Sequence, residues 1–128
     1  MYNSLMTKTD KLELQRKLQN AAHGIWENLI EIYPKLAKFD CPKIAVNLRF
    51  TRTAGCNHQS NNTIEIAGKF FAKHKAEMLT TILPHEMIHQ ADYNLFGLSE
   101  KKCGHGAKWQ KIMVEYGLPA NKYHSLEL

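Results

Sequence analysis

Met78-Leu79-Thr80-Thr81-Ile82-Leu83-Pro84-His85-Glu86-Met87-Ile88-His89 is the stretch on which the reading of this chain turns. Met78, Leu79, Ile82, Leu83, Met87 and Ile88 put apolar side chains on most sides at helical spacing, which predicts a buried helix. His85 and His89 are four residues apart, so they share one face of that helix and can bind a single metal ion. Glu86 lies about 100° round from His85, within reach of a water beside that ion without ligating it. Titratable groups rarely sit in so apolar a helix unless they are paired or metal-bound. An HExxH pentad with a further histidine at Gly104-His105-Gly106 supplies the parts of a zinc hydrolase.

Helical spacing around the pentad runs from about His74 to about Leu95. Pro84 within it lacks a backbone donor and crowds the preceding turn, so a kink just before His85 is expected. Upstream, Lys43 to Phe50 changes period: Ile44, Val46, Leu48 and Phe50 alternate with smaller or polar residues, as in a half-buried strand. Thr53 to Asn62 reads as a polar loop, and Thr63 to Ala67 alternates again as a second strand. Neighbouring strands with a polar connection suggest a hairpin or part of a small antiparallel sheet. Near the N-terminus, Asp10 and Glu13 resemble a helix start, and Leu14, Leu18, Ala22, Ile25, Trp26, Leu29 and Ile32 continue the stripe up to Pro34. A last helix from about Ala107 aligns Trp109, Ile112, Met113 and Tyr116, and Gly117 and Pro119 stop it.

The 128 residues suit one domain with its core over about 10–120. No apolar run approaches membrane-spanning length, and Met1 to Lys11 is too polar for a signal peptide. Cys41, Cys56 and Cys103 are odd in number and form no CxxC pair. A reducing compartment is therefore expected, cytoplasmic or associated with the nucleoid or nucleus, rather than secretion. Lys plus Arg number 17 against 12 Asp plus Glu, a net charge of +5 that favours polyanionic partners.

The third metal ligand is open between His105, Glu100, Glu115 and Asp92. His105 leads, because its flanking glycines let the backbone bring an imidazole close to another helix. A metzincin pattern is excluded, since Asp92 and Leu95 occupy the positions of its glycine and third histidine. Cys56 would match the upstream cysteine ligand of a peptide deformylase, but the residues around the pentad do not otherwise follow that pattern.

Arg52-Thr53-Ala54-Gly55, Ile64-Glu65-Ile66, Leu83-Pro84-His85-Glu86-Met87-Ile88-His89 and Gly104-His105-Gly106-Ala107-Lys108-Trp109 occur in this order over roughly residues 20–117. Together they resemble the SprT-like domain shared by bacterial SprT and the eukaryotic DNA-repair protease Spartan. The resemblance implies an α+β, zincin-like metalloprotease domain with helices packed on a small antiparallel sheet and HExxH on a central helix. It implies one Zn²⁺ per chain on His85, His89 and His105, with Glu86 as catalytic general base. Its implied partners are protein substrates and DNA, single-stranded or crosslinked to protein, with no membrane. The family commonly carries a C-terminal zinc ribbon of paired cysteines, and these residues contain no such pairs. Phosphate contacts are then expected from Lys69, Lys73 and Lys75, with His74 among them, and from Lys101, Lys102, Lys108 and Lys111 around His105. A zinc-bearing adaptor without catalysis is the competing function; Glu86 favours the enzyme, because a purely structural zinc site does not need it.

Overall fold

The computed structural model describes residues 8–97 and 106–118. Helix α1 (Lys8–Ile32) is followed by a 3₁₀ turn (Pro34–Lys38), strands β1 (Lys43–Asn47), β2 (Gly55–His58) and β3 (Thr63–Ala67), and short helices α2 (Gly68–Lys73) and α3 (Lys75–Glu77). A π-helical segment (Met78–Ile82) then leads into α4 (Leu83–Phe96), and α5 (Ala107–Tyr116) comes last. The architecture is α+β, as expected. Asp10 lies inside α1 rather than capping it.

The sheet corrects the expected antiparallel pairing. Its strand order is β1-β3-β2, with β1 parallel to β3 (Ile44 opposite Ile64) and β2 antiparallel to β3 (Gly55 opposite Ile66). The two strands expected to form a hairpin are thus parallel neighbours, and the intervening polar loop supplies the antiparallel edge. Parallel neighbours need a crossover between them, and the chain from Leu48 to Asn62 provides it. β1 also stops earlier than its apolar alternation suggests. Asn47 Oδ1 accepts the Arg49 N–H at 2.8 Å, a local turn that competes with continued strand pairing.

One face of the sheet is apolar: Ile44, Val46, Ile64 and Ile66 are buried and join one cluster with Leu18, Leu29, Leu83, Met87, Ile88 and Trp109. The free edge of β1 is closed from α1. The N–H groups of Ile44 and Val46 donate to Gln19 Oε1 and Gln15 Oε1, each at 2.8 Å, and Gln19 Nε2 donates to the Pro42 carbonyl at 2.9 Å. Two glutamines one turn apart on α1 therefore satisfy an edge that would otherwise invite another strand.

Pro84 sits in the first turn of α4, directly after the π segment. The backbone stays right-handed helical through Met78, Ile82 and Leu83, so the chain neither breaks nor starts late. The wider π turn is where a residue without an N–H is accommodated. α5 ends as expected: Gly117 has φ +104°, and its N–H donates to the Met113 and Val114 carbonyls. Pro119 lies outside the described residues. No helix among the described residues is long and apolar enough to cross a membrane.

Candidate metal centre

α4 is buried from Leu83 through Asp92, on every face. His85, Glu86, His89 and Asp92 are therefore four titratable side chains held inside apolar surroundings, each 9% exposed or less. Such burial is costly for charge and needs compensation at the site.

The two imidazoles converge. His85 Nε2 and His89 Nε2 are 3.1 Å apart, with ring centroids at 4.7 Å. Two neutral imidazole lone pairs aimed at each other at that range repel unless a proton or a cation lies between them. Two nitrogens each about 2.0–2.1 Å from a tetrahedral ion stand roughly 3.3 Å apart, so this pair fits zinc as two of its ligands. Trp109, fully buried on α5, walls the pair: its ring stacks on His89 at 5.0 Å and meets His85 edge-on at 5.2 Å. The indole fixes both ring planes and fills the space behind them.

Glu86 faces β2. A Cβ at Gly55 would lie 3.2 Å from Glu86 Cγ and 3.4 Å from both Ile66 Cδ1 and Ile82 Cγ2. Glycine at this place in β2 thus lets the strand pass close to the glutamate. Burial pushes the Glu86 carboxyl up to about 7 from an ordinary 4.5. This is a carboxyl that gains and loses a proton near neutrality.

Of the competing ligands, Asp92 is buried on α4 and Glu100 lies outside the described residues. Glu115 accepts a hydrogen bond from the Tyr33 hydroxyl, tying α5 to the end of α1. Cys56 is the cross-strand partner of Glu65, and its thiol is raised by burial first and then by the charges of Glu86 and Glu65. His58 Nε2 is 2.8 Å from Glu65 Oε1, an interaction that holds the Glu65 carboxyl below its usual range.

His85 and His89 face each other one turn apart on α4, and Glu86 lies on the same turn against β2. His105, Glu100, Lys101 and Lys102 lie outside the described residues. Among the described residues no set of three His, Cys, Asp or Glu side chains stands ready around one ion. Of the expected phosphate-binding cations, Lys69 and Lys73 are on α2, Lys75 on α3, and Lys108 and Lys111 on α5. Lys108 Nζ lies over the Phe96 ring, 4.8 Å from its centroid, so its charge also ties α5 to the end of α4. Sequence reasoning placed Trp109 only on a core face and missed its contact with both imidazoles. The GHGxxW spacing was the available signal. It also missed the approach of Gly55 to Glu86.

The SprT-like family model matches residues 14–124. Protein SprT of Actinobacillus succinogenes is 29% identical over 119 residues, covering 92% of this chain and 64% of that protein. Protein SprT of Pseudomonas savastanoi pv. phaseolicola is 32% identical over 88 residues, covering 68% of this chain and 52% of that protein. Protein SprT of Pseudomonas syringae pv. syringae is likewise 32% identical over 88 residues. The chain thus spans between about half and two-thirds of the length of these relatives. No solved structure matches it.

Proposed function

The chain belongs to the SprT-like family, and on that premise we propose that it is a zinc-dependent endopeptidase, DNA-associated and acting on DNA-bound or DNA-crosslinked proteins in the cytoplasm or at the nucleoid. The observation that carries the reading is the pair of buried imidazoles converging to 3.1 Å next to a buried glutamate. His85, His89 and His105 would hold one zinc ion per chain. When bound, zinc supplies a Lewis acid that polarises a carbonyl and makes water a nucleophile near neutral pH.

The chain's own residues then divide the work. Glu86 takes the proton of the attacking water and returns it to the leaving amine. Gly55 leaves room for the glutamate, and Trp109 keeps the imidazoles in one orientation. A purely structural zinc site has no use for a buried carboxylic acid that ligates nothing, and this favours catalysis over an adaptor role. DNA association is supported by the net charge of +5, by the exposed Lys73, Lys75, Lys108 and Lys111, and by the resemblance to Spartan-type members.

The test is proteolysis by wild type and Glu86→Gln, with a flexible free protein and a DNA-crosslinked protein as substrates, each with and without single-stranded DNA. Wild type is expected to cleave, faster with DNA, and Glu86→Gln to retain zinc and lose cleavage. Zinc-loaded wild type that cleaves nothing would leave the adaptor. Cleavage indifferent to DNA would leave a protease not directed by DNA.

A further inference from the structure

Behind the metal-facing side of α4 a pair of glutamines joins the helix to the end of β2. Gln59, in the 3₁₀ turn after β2 (Gln59–Asn61), donates from Nε2 to the His89 main-chain carbonyl at 3.3 Å. Gln90, 1% exposed and next to His89, donates from Nε2 to the Gln59 main-chain carbonyl at 3.2 Å and to Asn94 Oδ1 at 2.9 Å. Each glutamine side chain thus reaches the other segment's backbone, and one of the two acceptors is the carbonyl of a candidate metal ligand. The bonds are reciprocal and cross between two elements, so together they fix both the rotation of α4 and its slide along β2. One turn earlier, the same strand meets Glu86 at Gly55.

Stability alone does not account for Gln90. Its Oε1 is buried with no hydrogen-bond partner among the described residues, and an unsatisfied buried acceptor is a cost that an apolar side chain of similar size avoids. Ligand orientation does account for it. A small rotation of α4 would swing both imidazoles relative to Glu86, and groups that orient metal ligands commonly change metal affinity about 10–100-fold when removed.

We infer that Gln59 and Gln90 are positioning residues for the metal centre, acting through the His89 backbone to set where the imidazoles stand relative to β2 and Glu86. This rests on the reading of His85 and His89 as zinc ligands. The experiment uses the full chain as wild type, Gln90→Leu and Gln59→Ala. Zinc affinity is read by competition with a chromophoric chelator, ligand geometry by visible absorption of the Co²⁺-substituted protein, and stability by urea unfolding of the metal-free protein. Both variants are expected to bind zinc about tenfold or more weakly and to shift the cobalt bands. The metal-free unfolding midpoint of Gln90→Leu should fall only modestly, because removing the unsatisfied Oε1 offsets part of the two bonds lost. Unchanged zinc affinity and cobalt bands in both variants overturn the inference. So does an affinity loss accompanied by a matching loss of metal-free stability, the signature of a merely structural bond. Should Gln90→Leu fail to fold, Gln59→Ala, whose side chain is only partly buried, decides alone. Wild type that takes up neither zinc nor cobalt overturns the metal-ligand reading itself, an outcome distinct from equal binding by all three proteins.

Discussion

Glu86→Gln should stabilise the metal-free protein, and its size follows from burial. Glu86 is 6% exposed, and burial carries its carboxyl from 4.5 to about 7. Below pH 4.5 the group is neutral in both folded and unfolded chains and contributes no penalty. Between 4.5 and about 7 the unfolded chain ionises while the folded chain keeps its proton, so folded stability falls as pH rises. Above about 7 the penalty is complete. At about 1.4 kcal/mol per pH unit, the interval from 4.5 to about 7 corresponds to about 3 kcal/mol. Glutamine keeps the shape and never ionises, so it escapes the loss. Urea unfolding in the presence of a chelator, followed by tryptophan fluorescence, measures the difference between wild type and variant at several pH values. The gap should be near zero at pH 4 to 4.5 and open to about 3 kcal/mol by pH 8, then narrow on zinc addition as the cation compensates the carboxylate. A gap that does not change with pH would refute the argument that burial alone sets the Glu86 proton affinity.

Gly55→Ala should push a methyl group against Glu86, Ile66 and Ile82, at a cost of about 1–3 kcal/mol. Cleavage should fall about tenfold or more from the displaced base, with zinc content retained; full activity in steady-state kinetics would show that the strand simply gives way. Trp109→Phe should keep an aromatic wall but leave a gap behind His85 and His89, lowering stability by about 1–3 kcal/mol and weakening zinc binding measurably in chelator competition. Gln19→Ala removes the Ile44 and Pro42 bonds at the β1 edge together and should cost about 1–3 kcal/mol in urea unfolding, with zinc affinity unchanged. Cys41, whose thiol burial raises to about 11, should react with a thiol reagent at pH 8 far more slowly than a free cysteine; rapid labelling in the native state would contradict that environment.

The elements legible in the sequence were those whose own side chains carry the period. α1, β3 and α5 each put a continuous apolar stripe or alternation on the core, and α4 announced itself by apolar residues on most sides around HExxH. β2 was not legible because its inward positions are Gly55 and Asn57, neither of which is apolar enough to show alternation. Pairing with β3 makes it a strand. α2 was missed for a related reason. Gly68 opens it, and only Phe70 and Phe71 mark its buried side before His74, at φ −129°, interrupts the helix. The π segment leaves no local signature except Pro84, which signals that something must give without saying what. In the candidate site, the convergence of the two imidazoles followed from spacing alone. Trp109, Gly55 and the glutamine pair became visible only once α5 and β2 were set against α4.

The account's central claim is that His85, His89 and His105 hold one zinc ion and leave a position free for water. X-ray absorption at the zinc edge of the zinc-loaded full chain tests it most directly. The account predicts one zinc per chain, with three imidazole nitrogens and one further oxygen at about 2.0–2.1 Å. Sulfur scattering at about 2.3 Å, a fourth imidazole, or failure of the chain to take up zinc would contradict it.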